Sequence, residues 1–180
     1  MTRIFTVLAW FAILLVTVNL ILGLSLGDIR RPDPDVQHWA TVHRLGGVAA
    51  ALAVVLVNCI VVTYFIGTSR WAKEVVEAYE LDPEFTRRST ALKRRTFPWA
   101  TLAMLTIVGV ISLGGAADPA SGKPGTEHWR TRHLIGSMAG LAFVAFASVV
   151  EWNNIYQNQQ AIQEILAEVR RIRQERGWEV

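Results

Sequence analysis

A chain of 180 residues in which 52% of side chains are hydrophobic, 18% are charged and the net charge is +3 is too apolar for an ordinary soluble domain. The small positive balance is accounted for by arginines and lysines between apolar runs, where they mark membrane topology, so no nucleic-acid surface is implied. The single cysteine, Cys59, excludes an internal disulfide and a cysteine metal cluster.

Crossing a bilayer takes about 20 predominantly apolar residues in a helix. Four runs meet that requirement, at about 4–26, 43–67, 97–117 and 133–151. The first carries no charge and is longer than the roughly 7–15 residues of a secretory signal core. Although Ser25 and Gly27 are spaced like a cleavage site, this run reads as an uncleaved signal anchor. "GDIRRPDPDVQ", from Gly27 to Gln37, is then a turn region rich in Pro and Asp and forms a short outer loop.

The second run opens with "QHWATVHRLGGVAA", which places His38, Trp39, His43, Gly46 and Gly47 ahead of a fully apolar stretch. Within it Cys59 reads as a small core residue, and Asn58, like Asn19 of the first run, as an interhelical hydrogen-bonding amide. The loop 68–96 follows, and in it Trp71, Val75, Val76 and Tyr79 recur at helical spacing, so an amphipathic helix is expected until Asp82-Pro83 ends it. After the third run, "DPASGKPGT" (Asp118 to Thr126) is the second outer loop, and "EHWRTRHLIGSMA" opens the fourth run as the second opened. The tail 152–180 carries Ile155, Ile162, Ile165, Leu166, Val169 and Ile172 along one helical stripe, suited to packing on the loop helix or pairing with another subunit.

Lys and Arg accumulate in cytoplasmic segments. Twelve of the eighteen fall in the N-terminal tip, the 68–96 loop and the tail, which puts both termini in the cytoplasm and the histidines outside. The predicted fold is therefore an all-α membrane protein: a four-transmembrane-helix bundle over 1–151 with a cytoplasmic amphipathic helix over 152–180, multi-pass and suited to a bacterial inner membrane.

The two halves resemble each other. Aligning Gln37 to Ala49 with Glu127 to Ala139 gives identities at His38/His128, Trp39/Trp129, Thr41/Thr131, His43/His133, Gly46/Gly136 and Ala49/Ala139, and "LSLG" at Leu24 matches "ISLG" at Ile111. Two hairpins running the same way are related by an axis along the membrane normal, which sets His43 and His133 at one depth. Three, four and seven residues beyond His43 stand Gly46, Gly47 and Ala50; beyond His133 stand Gly136, Ser137 and Gly140. Small residues beside an imidazole leave a slot, and a haem held between two axial histidines needs one. The same small residues also let helices approach closely, so a purely structural reading stays open. His38 and His128 lie five positions before the inner pair, about 7.5 Å higher on a helix and on another face. They read as near-surface residues that, with Arg44, Arg130 and Arg132, could meet haem propionates, and a copper or zinc site drawn from all four histidines is a further alternative.

"NLILGLSLG", "VHRLGGVAAALAVVLV" and "HLIGSMAGLAFVAFASV" together resemble one four-helix half of the haem A synthase family, over about the first 150 residues. The resemblance implies a four-helix bundle whose second and fourth helices each supply one axial histidine on the outer side, here His43 and His133. The chain departs from that family in having one half, no loop cysteine, and Trp39 and Ala40 where the family has an acid. Bis-histidine b-type cytochromes share the architecture without the acid. The expected function is therefore a haem b-binding membrane subunit that relays electrons to a redox protein or other subunits on the outer side. A haem-modifying or haem-delivery protein and a haem-free accessory subunit are the alternatives. No phosphate-cradling loop, nucleophile with its base, or intramembrane acidic pair marks an enzyme active site.

Overall fold

The computed structural model describes residues 1–30 and 33–177; Arg31, one of the outer cations, and residues 178–180 of the tail lie outside the described residues. Four long helices account for nearly all of the described residues, which contain no strand: α1 (Thr2–Ser25), α2 (Pro34–Tyr79), α3 (Glu84–Ala117) and α4 (Glu127–Glu175), with one 3₁₀ turn at Pro119–Ser121. Each of the four is long and apolar enough to cross a bilayer.

On α1 the buried face is Phe5, Ala9, Ala12 and Val16, mostly small, while Ile4, Val7, Phe11, Leu14, Val18 and Ile21 point outward and are more than half exposed. A helix apolar on every side, with its bulk on the outside, needs apolar surroundings beyond the bundle. The bundle core joins those α1 residues to Val54, Val57, Val61 and Phe65 of α2, Leu92 and Ile107 of α3, and Val144 and Ile155 of α4.

Helix lengths differ in a way that hydropathy does not display. At 1.5 Å per residue α1 is about 36 Å long, close to bilayer thickness, whereas α2, α3 and α4 are about 69, 51 and 74 Å. The backbone N–H of Thr2 donates to Gln159 Oε1 at 3.3 Å, so α1 ends beside the middle of the C-terminal half of α4. Past that level three helices continue alone. A second core holds them together: Ala72, Val76, Leu81 and Ile165, flanked by Trp71, Val75, Tyr79, Phe85, Val169 and Ile172.

This revises two expected boundaries. Residues 68–96 are a helical hairpin, since α2 runs unbroken to Tyr79 and α3 begins at Glu84; the tail is the second half of α4. Helix continuity needs only backbone hydrogen bonds and one apolar stripe, and the Trp71–Val76 and Ile165–Ile172 stripes supply it after the uncharged run ends. The reversal between α2 and α3 is tight. Glu80 takes the left-handed conformation (φ 53°, ψ 40°), Leu81 N–H bonds back to the Val76 carbonyl at 3.0 Å, and the Leu81 side chain is buried in the second core. Asp82 then accepts from the Glu84 N–H at 2.8 Å. The expected amphipathic helix and its stop near Asp82-Pro83 are both present.

At the opposite end Asp33 caps α2 by accepting from Asp35 N–H at 2.9 Å, with Pro34 in the first turn, so His38 and Trp39 already stand on helix. Arg44 pairs with Asp118 at 2.8 Å and Arg30 with Glu127 at 2.9 Å, tying the two hairpins together there. Cys59 is not a core residue: it is exposed on the outside of the bundle, with its Sγ 3.8 Å from Met104 Sδ. Its position on α2 faces away from the Asn58 and Val61 side that the bundle buries.

Candidate functional site

His43 and His133 are brought together. Their ring centres are 6.3 Å apart and their planes are inclined at 69°. The equivalence of α2 and α4 that puts them level holds along the helices, because Thr68 and Asn158, each twenty-five residues further on, meet at 3.0 Å.

Each ring is held against the backbone of the helix that precedes its own. His43 Nδ1 lies 3.1 Å from the Asn19 carbonyl oxygen. A carbonyl only accepts, so Nδ1 carries the proton and Nε2 presents a lone pair. That is the arrangement by which metal-binding imidazoles are usually oriented. His133 hydrogen-bonds the Val110 backbone, and Ser137 Oγ stands 3.5 Å from its Nδ1. Beside each ring is a glycine that the ring needs. A Cβ at Gly23 would fall 2.7 Å from His43 Cε1, and a Cβ at Gly114 would fall 3.0 Å from His133 Cε1. The structurally matched pairs are therefore Asn19 with Val110 and Gly23 with Gly114. The "LSLG"/"ISLG" alignment instead sets Gly27 opposite Gly114, one turn away, and a Cβ at Gly27 would meet nothing within 4 Å.

The other predicted positions are placed differently. Gly46 and Gly47 face the Asn19 side chain, at 2.7 Å and 3.2 Å from a would-be Cβ; Gly136 faces Leu113 and Gly140 faces Val110, each at 2.6 Å. These glycines admit the partner helix of their own hairpin, and Gly136 and Gly140 also line an open cavity of about 770 Å³ between α3 and α4. Arg44 is engaged with Asp118, and Arg132 lies over the Trp129 ring at 4.7 Å. His38 and His128 are exposed, as expected of near-surface residues, and His128 Nδ1 is 3.5 Å from Glu127. Among the described residues no group of three or more His, Cys, Asp and Glu is arranged to hold a metal.

The ring spacing matches in length what two imidazoles sharing one metal would need, and His43 and His133 would be the residues to hold it. Two metal–imidazole bonds of about 2.0–2.1 Å plus about 1.1 Å from each nitrogen to its ring centre give about 6.3 Å between centres, the spacing found here. Gly23, Gly114 and the Asn19 carbonyl escaped sequence reasoning because a backbone contact leaves no side-chain signature; the only available signal was glycine on a preceding helix at the histidines' depth. Compared with protein-family models, curated proteins and solved structures, the chain matches none.

Proposed function

We propose that this is a multi-pass membrane protein that holds one b-type haem between His43 and His133 and passes electrons at that end of the bundle. The observation that carries the reading is the imidazole pair: 6.3 Å between centres, with one ring nitrogen of His43 already committed to a backbone carbonyl. Bound haem would supply the one-electron chemistry. The chain's own part is to fix the two rings, to keep Nε2 of His43 deprotonated, and to surround the pair with apolar residues that limit water. In this reading the four helices span the bilayer as two hairpins related by an axis along its normal. Both termini and the three-helix extension lie in the cytoplasm, and the exposed Trp39 and Trp129 sit at the outer interface.

The test is a reduced-minus-oxidised absorption spectrum of the purified chain. A low-spin bis-histidine spectrum is expected, abolished by His43→Ala and by His133→Ala and kept by His38→Ala and His128→Ala. A colourless protein after expression with ample haem would overturn the reading. One observation favours a second reading, a haem-free accessory subunit: all four glycines of the histidine columns are used for helix contact. That reading expects His43→Ala to be as stable as the parent and no haem uptake by either.

A further inference from the structure

The other end of the bundle carries a polar column that the histidine site does not use. Glu151, Asn154 and Asn158 lie three and four residues apart on one face of α4, and each is 1% exposed or less. Polar side chains so deeply buried ordinarily have partners. Here Glu151 Oε1, both side-chain atoms of Asn154, and Asn158 Oδ1 have none. Asn158 ties the column to α2: its Nδ2 donates to Thr68 Oγ1 at 3.0 Å, in the turn that follows Tyr64, and its side chain interacts with the Tyr64 hydroxyl. Among the described residues Glu151 forms no ion pair.

Three of the four unpartnered atoms just named on α4 are oxygens, so what is missing is positive charge or donors. A single carboxylate among neutral oxygens balances one unit of charge, which suits a monovalent ion better than a divalent one. Hard cations take oxygen ligands of this kind. An intramembrane acid is itself the usual mark of an ion site. On the outer face of α2 an open groove of about 520 Å³, lined by Met1, Cys59, Thr63, Tyr64 and Thr68 among others, includes the two α2 residues that neighbour the column.

We propose that Glu151, Asn154 and Asn158, with Tyr64 and Thr68, form a site for one sodium-sized monovalent cation. It is independent of haem. The test compares thermal unfolding of the purified full chain in sodium chloride and in N-methylglucamine chloride at equal ionic strength. Sodium at about 100 times its dissociation constant should raise the midpoint by about 5–10 °C in a protein of this size. Glu151→Gln and Asn154→Ala should each remove that rise; if one does not fold, the other carries the comparison. Equal midpoints for the parent in the two salts would overturn the proposal, leaving a protonated acid or trapped water as the filling. So would a sodium-dependent rise that survives in the variants.

Discussion

At the scale of single residues, the histidine pair depends on two positions with no side chain. Gly23 and Gly114 let an imidazole lie against a helix backbone, where an alanine Cβ would stand 2.7 Å and 3.0 Å from the ring carbon. The expected consequence of Gly23→Ala is a displaced His43 ring and a weakened bond to the Asn19 carbonyl. Overpacking of this sort costs about 1–3 kcal/mol. Haem titration of the variant should show lost or high-spin binding, whereas Gly27→Ala, where an added Cβ would meet nothing within 4 Å, should bind as the parent does. The pairing of His43 with His133 was legible because the two "HW…H" segments repeat. Their supporting atoms were not, because Asn19 acts through its carbonyl, which every residue type possesses.

At the scale of helices, the close approach within each hairpin is set by small residues meeting large ones. Gly140 against Val110 is the clearest case, since a Cβ there would come within 2.6 Å of the Val110 methyl and 3.5 Å of Thr106. Gly140→Ala alone is expected to destabilise the α3–α4 contact by about 1–3 kcal/mol. With Val110→Ala the space is restored, and a double-mutant cycle on unfolding free energies should give a favourable coupling of at least about 0.5 kcal/mol. Additive effects would show that the two side chains do not share the contact. Hydropathy located the apolar part of every helix but not its ends. An uncharged run stops where apolar surroundings stop, while α2 and α4 continue through Arg70, Lys73 and Glu164 on the strength of a narrow stripe that includes Ala72, Val76 and Ile165. Cys59 was misplaced for a related reason: apolar composition says that a residue avoids water, and does not say whether it faces protein or lipid.

At the scale of the whole molecule, the even number of long helices puts both chain termini and the α2–α3 turn at one end, and the histidines at the other. The proposed orientation predicts a clean labelling pattern. In a Cys59→Ser background, a membrane-impermeant maleimide should reach Ser121→Cys only from outside the cell membrane, and Glu80→Cys and Arg176→Cys only from the cytoplasm. Labelling of Ser121→Cys and Glu80→Cys from one side would reverse the reading of which helices cross. The twelve-to-six division of Lys and Arg is the sequence feature behind the proposed orientation, and that charge bias resides largely in the segments that extend α2, α3 and α4.

Because α4 is one uninterrupted rod, it acts as a ruler between the two ends. From His133 to Arg173 it spans forty residues, about 60 Å. A carrier docked on the protruding stalk would stand far outside contact range of the imidazoles, so the proposed electron exchange requires the opposite face. On the proposed haem reading, trimming the stalk should therefore leave the absorption spectrum of the protein unchanged.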